Sequence, residues 1–294
     1  MKAEYLDRAN RIATDNVSSA QQVLRDTVDL LLDFCRDYST DPRFIQDLKS
    51  LSDTLSNAQA QMAALSNIGR LIVSVCDKLP AKEVGGYIAG LKNKISEASA
   101  RTAREASKAI SAGKAYATLS QSEFVLRAFE TAAAENKLAV VYVMESRPLF
   151  EGRQTARALK AMGHRSILVS DAAIGFFIDI IDSAFVGADA ILSDGTLVNK
   201  IGSFALAAAC KASGKDFHAV TSVLKFDREK DASRFLNKEE SPHEIFPNPE
   251  YEVKNIYFDM VNPRLVTSVI TEAGMLSPLS GLNQLETAMR EIYG

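Results

Sequence analysis

Asp189 and Lys200 are the two residues whose types and surroundings most favour chemistry. Asp189 ends the triplet Gly187-Ala188-Asp189 inside an otherwise apolar stretch, where a charged side chain is seldom buried without a function. Lys200 belongs to the segment Asn199-Lys200-Ile201-Gly202-Ser203, which opens a predicted helix. A carboxylate and an ammonium that converge on one site can move protons or hold a small anion. We therefore expect Asp189, Asn199 and Lys200 to serve a small anionic ligand.

Further polar residues follow other short apolar runs. Ser120 stands in Ser120-Gln121-Ser122, and Arg147 and Arg153 both follow a later run, where two guanidinium groups could clamp a phosphate. Asp171 follows a third run. These residues also have structural interpretations. Asp171 is typical of a helix cap, and Arg147 could form an ion pair with Glu145 that contributes little to stability.

The elements that must position these residues are short strands alternating with helices. Helices are predicted to begin near Gln121, Glu151, Asp171 and Gly202. The predicted strands are Ala115–Leu119, Leu138–Met144, Ser166–Val169, Phe185–Val186, Ala190–Leu192 and Phe217–Val220. This order predicts a doubly wound, mostly parallel sheet, and ligands of such sheets bind beyond the carboxyl ends of the strands. The polar residues above lie at those ends.

Residues 1–113 have a different pattern, with apolar residues recurring every three or four positions and hardly any strand signal. Asp41-Pro42 and Leu79-Pro80 interrupt the pattern, so three or four helices are expected. The Ala-, Ser-, Lys- and Arg-rich stretch Ser96–Ser111 predicts a partly exposed connecting helix. The predicted domains are a helical one over 1–113 and an α/β one over 114–294. Within the latter, Lys225–Tyr251 predicts a long excursion before Ile256–Met260 and a helical tail.

Composition narrows the classes of function. The 294 residues include 34 Lys and Arg against 37 Asp and Glu, a net charge of −3, which gives no global attraction for nucleic acid. Neither Gly-x-Gly-x-x-Gly nor the phosphate-loop pattern occurs, and the three histidines show no metal-ligand spacing. We expect no cofactor, no metal and no direct nucleic-acid partner. The three cysteines predict buried free thiols, and no signal or membrane-spanning segment is evident, so cytoplasmic residence is expected.

Several ordered blocks resemble a known family. The blocks are Val143-Met-Glu-Ser-Arg-Pro-Leu-Phe-Glu-Gly-Arg153, Ser170-Asp171, Gly187-Ala-Asp-Ala-Ile191, Asp194-Gly195 and Asn199-Lys-Ile-Gly-Ser203. They are similar to the regulatory alpha, beta and delta subunits of translation initiation factor two-B, to ribose-1,5-bisphosphate isomerase and to methylthioribose-1-phosphate isomerase. Tyr257-Phe-Asp and Pro263-Arg-Leu-Val-Thr extend the resemblance, and Met62-Ala-Ala-Leu-Ser-Asn67 carries it into the helical region.

The resemblance implies a helical domain on a Rossmann-like domain, oligomerisation, and a phosphosugar or nucleotide pocket between the two domains. It also implies that an aspartate and a cysteine move protons or assist hydride transfer in the isomerases. Asp189 matches the aspartate, whereas Ser120 occupies the position of the cysteine. Gln59-Ala60 and Ser18-Ser19-Ala20 stand where the isomerases have phosphate-binding arginine motifs. A hydroxyl exchanges protons poorly near neutral pH, so inefficient isomerisation is expected.

The sequence thus leads to three hypotheses. The first is an initiation-factor two-B-like protein that binds a phosphorylated sugar or nucleotide through Ser120, Arg147, Arg153, Asp171, Asp189, Asn199 and Lys200. The second is an aldose–ketose isomerase of a phosphorylated pentose, with Asp189 as general acid and base. The third is an oligomeric scaffold with a vestigial pocket. A homodimer or larger homo-oligomer is expected, motivated also by the apolar run Leu265–Leu276, and translation initiation factor two is a candidate protein partner.

Overall fold

The first hundred residues fold as a group of packed helices. A computed structural model describes residues 3–15, 18–59 and 61–294. The helices over the described residues are α1 (Ala3–Thr14), α2 (Ala20–Tyr38), α3 (Phe44–Ala58), α4 (Ala63–Lys78), α5 (Ala81–Ser107), α6 (Glu123–Ala134), α7 (Gly152–Ala161), α8 (Ile174–Phe177), α9 (Ser203–Ala212) and α10 (Leu282–Tyr293). All of α1 to α5 precede the first strand, so the helical character of this region is as predicted, but its described residues form five helices rather than three or four. The connecting helix is part of α5.

The rest of the chain forms two sheets. The strands are β1 (Ala115–Leu119), β2 (Val140–Met144), β3 (Arg165–Val169), β4 (Ser183–Val186), β5 (Ala190–Leu192), β6 (Leu197–Lys200), β7 (Asp216–Val220), β8 (Phe226–Asp227), β9 (Phe258–Val261), β10 (Ser268–Thr271) and β11 (Gly274–Leu276). The larger sheet has the order β11-β10-β7-β4-β1-β2-β3, in which every pair is parallel except β10 with β11. The predicted fold class, a helical region followed by a doubly wound and mostly parallel sheet, is confirmed.

The smaller sheet was not expected from the sequence. Its order is β8-β5-β6-β9, so β5, predicted as a strand of the main sheet, belongs here instead. Asn199 and Lys200 lie on β6 and pair with Asp259 and Phe258 of β9, rather than in a loop that opens a helix. Three-residue strands such as β5 carry too short a pattern to reveal their sheet partners.

The C-terminal apolar run Leu265–Leu276 does not form the exposed surface that was expected. It contains β10, whose four residues are all buried, and β11, which returns antiparallel to it. β10 pairs with β7, which extends the main sheet and hides Val269 and Ile270. The run therefore serves the core of this chain, and it gives no support for oligomerisation.

One hydrophobic core joins the helical region to the sheet. Leu31, Leu48 and Ile68 of the helices belong to the same buried cluster as Leu119 and Leu206 of the α/β region. Burial of each such side chain contributes roughly 1.5–3 kcal/mol. The helical region therefore packs directly on the sheet. The boundary near residue 113 stays a prediction.

The cysteines lie inside the protein. Cys35, Cys76 and Cys210 are free and buried, as predicted. Burial raises the pKa of the Cys35 and Cys210 thiols to about 12, so neither is a thiolate near neutral pH. Over the described residues, no helix is long and apolar enough to cross a membrane, and no group of His, Cys, Asp and Glu could hold a metal ion.

Candidate functional site

A cavity of about 380 Å³ lies where the helical region meets the carboxyl ends of β1 and β4. In the main sheet, β2 and β3 lie on one side of β1, whereas β4 and β7 lie on its other side. The cavity therefore lies at the point where the strand order reverses. This is the usual ligand position in a doubly wound sheet. Four of the residues predicted for the site line it, namely Ser120, Asp189, Asn199 and Lys200.

Ser120 is held by its backbone at the end of β1. It adopts a left-handed conformation with φ of 58°, its N–H donates to Oγ of Ser146 at 2.6 Å, and its carbonyl accepts from Oγ1 of Thr155 at 2.7 Å. The hydroxyl of Ser120 is not used in these bonds. The structure thus fixes the main chain and leaves the side chain at the cavity.

A close contact between two loops shapes the cavity beside Ser120. A Cβ atom on Gly187 would lie 2.7 Å from Oγ of Ser122, so only glycine permits this approach. Ser122 caps α6 by accepting from the N–H of Val125 at 3.4 Å. Gly187 therefore lets the loop after β4 pass directly over the start of α6.

Asp189 and Lys225 are opposite charges of the cavity, and each shifts the pKa of the other. Burial raises the pKa of Asp189, and the positive charges of Lys225 and Lys200 oppose that rise. Burial lowers the pKa of Lys225, and the charge of Asp189 opposes that fall. The Lys225 ammonium donates to the carbonyl of Ala188 at 2.5 Å, while the carbonyl of Asp189 accepts from the N–H of Ala63 at the start of α4 at 3.3 Å. Both regions of the protein thus fix this pair.

Lys200 lies in a second charged contact on the cavity wall. Its Nζ is 2.8 Å from Oε1 of Glu151 and 4.5 Å from the ring centre of Tyr257. Oε2 of Glu151 is buried and has no hydrogen-bond partner among the described residues. An orphaned carboxylate oxygen is costly, and a ligand hydroxyl would satisfy it. Asn199 lies beside Lys200 and donates to Oγ of Ser203 at 2.8 Å.

The helical side of the cavity is polar and uncharged at the positions where the resemblance implies arginine motifs. Gln59 donates its amide to the carbonyls of Ile12 and Asp15 at 2.8 and 3.0 Å. Ser19 caps α2 by accepting from the N–H of Gln22 at 3.2 Å. Ala60, the second residue of Gln59-Ala60, lies outside the described residues. Ser18, Ser19, Ala20 and Gln59 all line the cavity.

Arg147 and Arg153 do not line the cavity. Their guanidinium carbons lie 5.0 and 3.8 Å from the ring centre of Phe150. Arg147 donates to the carbonyl of Ile245 at 2.8 Å, and Arg153 pairs with Glu145 at 3.1 Å. The structure therefore places both groups beside Phe150 and outside the lining of the cavity. A role for them in ligand binding stays a prediction.

Asp171 also lies outside the cavity lining and has local partners. Its carboxylate accepts from the N–H groups of Ser146 and Arg147 at 2.8 and 2.7 Å. Ser146 in turn accepts from the N–H of Ser120. Asp171 thus orders the loop that fixes Ser120, and direct contact with a ligand stays a prediction.

The N-terminus of α9, a candidate anion site near Gly202, already has a carboxylate. Oδ2 of Asp259 accepts from the N–H groups of Gly202 and Phe204 at 2.8 and 2.9 Å. A carboxylate at this end is favourable because the helix dipole is positive there. A ligand phosphate would have to displace Asp259 to use the same amides.

Sequence reasoning missed Lys225 as a site residue. The rule that identified Ser120 and Asp171 examines residues after each strand, and Lys225 follows β7 by five residues. The segment that begins there, Lys225–Tyr251, is predicted from the sequence as a long excursion before Ile256–Met260. In the structure Lys225 is 5% exposed and lines the cavity.

Comparison with family models decides the relationship that these motifs suggest. Residues 16–278 match the model of the Initiation factor 2 subunit family. The chain belongs to that family. The match spans both the helical region and the sheet, so the resemblance noted in the sequence is confirmed.

Relatives of the chain are named either as ribose 1,5-bisphosphate isomerases or as putative translation initiation factor proteins. The chain is 27% identical to ribose 1,5-bisphosphate isomerase of Archaeoglobus fulgidus, over 94% of this chain and 90% of that one. It is 30% identical to a putative translation initiation factor eIF-2B subunit 2-like protein of Pyrococcus furiosus, over 74% of this chain and 76% of the other.

Solved structures show the same fold. Translation initiation factor eIF-2B of Pyrococcus horikoshii superposes with a TM-score of 0.87 at 24% identity, covering 96% of this chain and all of that one. 5-Methylthioribose 1-phosphate isomerase of the same organism has a TM-score of 0.75 at 22% identity, covering 97% and 88%. The eIF2B-beta2-delta2 complex from C. thermophilum, described as tetrameric, has a TM-score of 0.78 at 19% identity, covering 92% of each chain.

Proposed function

We propose that this chain binds a phosphorylated sugar or nucleotide in the cavity between the helical region and the sheet. The observation that supports it best is the convergence of Lys200, Lys225 and Asn199 with the carboxylates of Asp189 and Glu151 around one cavity. The lysines supply positive charge for a phosphate, and the carboxylates and amides accept or donate to sugar hydroxyls.

The geometry suggests how such a ligand is held. Oε2 of Glu151 lacks a partner, which favours a ligand group that donates a hydrogen bond, as a sugar hydroxyl does. Lys200 is already neutralised by Glu151, and Lys225 faces Asp189. Over the described residues, the cavity lining has three lysines against five carboxylates, so it has no excess positive charge for two phosphates. One phosphate and several hydroxyls fit this balance better than a bisphosphate.

Isothermal titration calorimetry tests this function. The probes are ribose 5-phosphate and adenosine 5′-monophosphate, with ribose and adenosine as matched controls that lack the phosphate. We expect at least one phosphorylated probe to bind about tenfold or more tightly than its control, equivalent to about 1.4 kcal/mol. Equal binding of a probe and its control, or no saturation of any probe at millimolar concentration, would contradict the proposal.

A second candidate is an aldose–ketose isomerase acting on a phosphorylated pentose such as ribose 1,5-bisphosphate. Burial raises the pKa of Asp189, which favours a general acid and base working closer to neutral pH. Lys200 or Asn199 would polarise the substrate oxygen. Relatives named as ribose 1,5-bisphosphate isomerases add to this candidate. A second titrating group is required for the reaction, and Ser120 stands where a thiol would be expected.

We also propose that the protein assembles as a homodimer or larger homo-oligomer, and that translation initiation factor two is a candidate protein partner. Exposed Phe176 on α8 and Phe204 on the neighbouring α9 support self-association, with 78% and 49% of their surface accessible. Sedimentation velocity at micromolar concentration should show a species larger than the 32.0 kDa of one chain. Phe176→Ser should lower the fraction of that species. A wild-type protein that sediments only as a monomer would refute the assembly.

A further inference from the structure

The position of Lys225 is set by a single short turn. The segment Ser222–Lys225 follows β7, and the N–H of Lys225 donates to the carbonyl of Ser222 at 3.0 Å. From this turn the Lys225 side chain reaches the carbonyl of Ala188 at 2.5 Å. Any displacement of the turn would therefore move the ammonium relative to Asp189.

Asn67 of α4 holds one end of this turn. Its side-chain Nδ2 donates to the carbonyls of Leu224 and Phe226 at 2.7 and 2.9 Å, so it bridges the residues on both sides of Lys225. Asn67 is 3% exposed, and its Oδ1 accepts from Arg70 at 2.8 Å, which fixes the orientation of the amide. Both N–H groups of the Asn67 amide thus donate to the backbone on either side of Lys225.

Glu272 holds the other end. One carboxylate oxygen accepts from the N–H of Val223 at 3.1 Å and from Thr102 of α5 at 3.2 Å, and the other accepts from Ser222 at 2.7 Å and Tyr293 of α10 at 3.2 Å. Glu272 is 9% exposed. Buried networks in which every donor and acceptor is used are rigid, and removing one member leaves others unsatisfied.

We propose that Asn67 and Glu272 are positioning residues that hold the Lys225 ammonium at the carbonyl of Ala188, in the cavity that Asp189 also lines. The inference rests on the proposed function, because Lys225 is a cation of the same cavity. Neither side chain is among the residues that line the cavity, so their effect on a ligand must act through the turn.

The surroundings of Lys225 make its displacement measurable. The charged groups that act on its ammonium are Asp189 and Glu123, and the Phe124 ring centre lies 5.8 Å away. Burial dominates and lowers the pKa of Lys225. If the turn loosens, the ammonium gains contact with water and its pKa rises toward the ordinary value of lysine.

The test is competitive labelling of the ligand-free protein with acetic anhydride across a pH series, with acetylation of Lys225 quantified by mass spectrometry. Asn67→Leu removes the two donated hydrogen bonds while keeping a similar side-chain volume. We expect its Lys225 labelling midpoint to rise by about one pH unit. The matched control is Ile68→Val, the next residue of α4, which is fully buried and perturbs packing while it leaves the hydrogen bonds of the turn in place. Its midpoint should stay at the wild-type value.

Milder variants keep the proposal testable if Asn67→Leu does not fold. Arg70→Met changes a partly exposed residue and removes its hydrogen bond to Oδ1 of Asn67. We expect a smaller rise of the Lys225 midpoint in this variant. Glu272→Gln retains an oxygen for the N–H of Val223, and the facing hydroxyls can reverse their direction, so its midpoint should stay near the wild-type value. The side chain in Glu272→Leu forms no hydrogen bond with the N–H of Val223 or with the facing hydroxyls, so the Lys225 midpoint should rise in this variant.

An unchanged Lys225 midpoint in folded Asn67→Leu or in folded Glu272→Leu would overturn the proposal for the residue concerned and leave it with a structural role alone. Equal shifts in Glu272→Gln and Glu272→Leu would also overturn it for Glu272. Labelling requires no ligand, so this result is independent of whether any sugar phosphate or nucleotide binds.

Discussion

Lys225 donates to the carbonyl of Ala188 at 2.5 Å, so its buried ammonium lies at the peptide bond that joins Ala188 to Asp189. Lys225 comes from the turn after β7, whereas Asp189 comes from the loop between the two sheets. The contact therefore ties the main sheet to the smaller sheet at the cavity. Since burial disfavours the charged forms of both groups, each depends on the other to stay ionised.

Replacing Asp189 should make Lys225 easier to deprotonate. The charge of Asp189 opposes the effect of burial on the pKa of Lys225, so Asp189→Asn should lower that pKa further. Competitive acetylation should show the Lys225 midpoint moving to lower pH. Asp171→Asn, a change outside the cavity lining, is the control and should leave the midpoint in place. A midpoint that stays fixed or rises in Asp189→Asn would show that the two charges do not interact.

Ser120 should limit isomerase activity. A hydroxyl lacks a pKa near the working pH, and loss of one acid or base group commonly costs about 10²–10⁴-fold in rate. We expect negligible turnover of ribose 1,5-bisphosphate by the wild-type protein, and a gain in Ser120→Cys if the substrate binds. Cysteine fits the same backbone, because the constraints at Ser120 act on its N–H and carbonyl. Wild-type turnover of order 1 s⁻¹ or faster would favour the isomerase function instead.

Gly187 should tolerate no side chain. A Cβ there would meet Oγ of Ser122 at 2.7 Å, so Gly187→Ala should destabilise the fold by about 1–3 kcal/mol and displace the start of α6. Gly90→Ala is the control, since it lies in α5 with open space around it, and it should stabilise the protein by about 0.5–1 kcal/mol. Chemical denaturation measures both changes. Equal stability of Gly187→Ala and the wild type would mean that the loop relaxes freely.

His218 should make the protein sensitive to mild acid. Burial lowers its pKa from the ordinary value of 6.5, so the unfolded chain binds the proton more readily than the folded one. By linkage the free energy of unfolding rises with pH in the range between the folded pKa and 6.5, and it falls as pH drops through that range. His218→Gln should flatten this dependence in denaturation curves taken from pH 7 to 5. His243→Gln, at an exposed position, should not change it.

Much of the fold followed from local patterns, because long amphipathic helices and the strands β1 to β4 and β7 repeat their apolar residues regularly. The smaller sheet did not follow from local patterns, since β5 and β8 have only three and two residues and pair with each other across a long stretch of sequence. In the site, Ser120 and Asp189 were predictable because each adjoins a buried strand, and Asn199 and Lys200 because they precede a helix, although they lie on β6. Lys225 was not predictable because a turn separates it from β7, and that turn is held by Asn67 and Glu272, which are distant in sequence.

The most direct test of the proposed ligand site is calorimetric titration of the wild type and three lysine or arginine variants with the phosphorylated probe that binds the wild type. Lys200→Met and Lys225→Met remove cavity cations, whereas Arg153→Met removes a cation stacked on Phe150 outside the cavity lining. We expect each lysine variant to weaken binding at least about tenfold, with Arg153→Met close to the wild type. Unchanged affinity in both lysine variants, or a loss confined to Arg153→Met, would contradict a ligand site in this cavity.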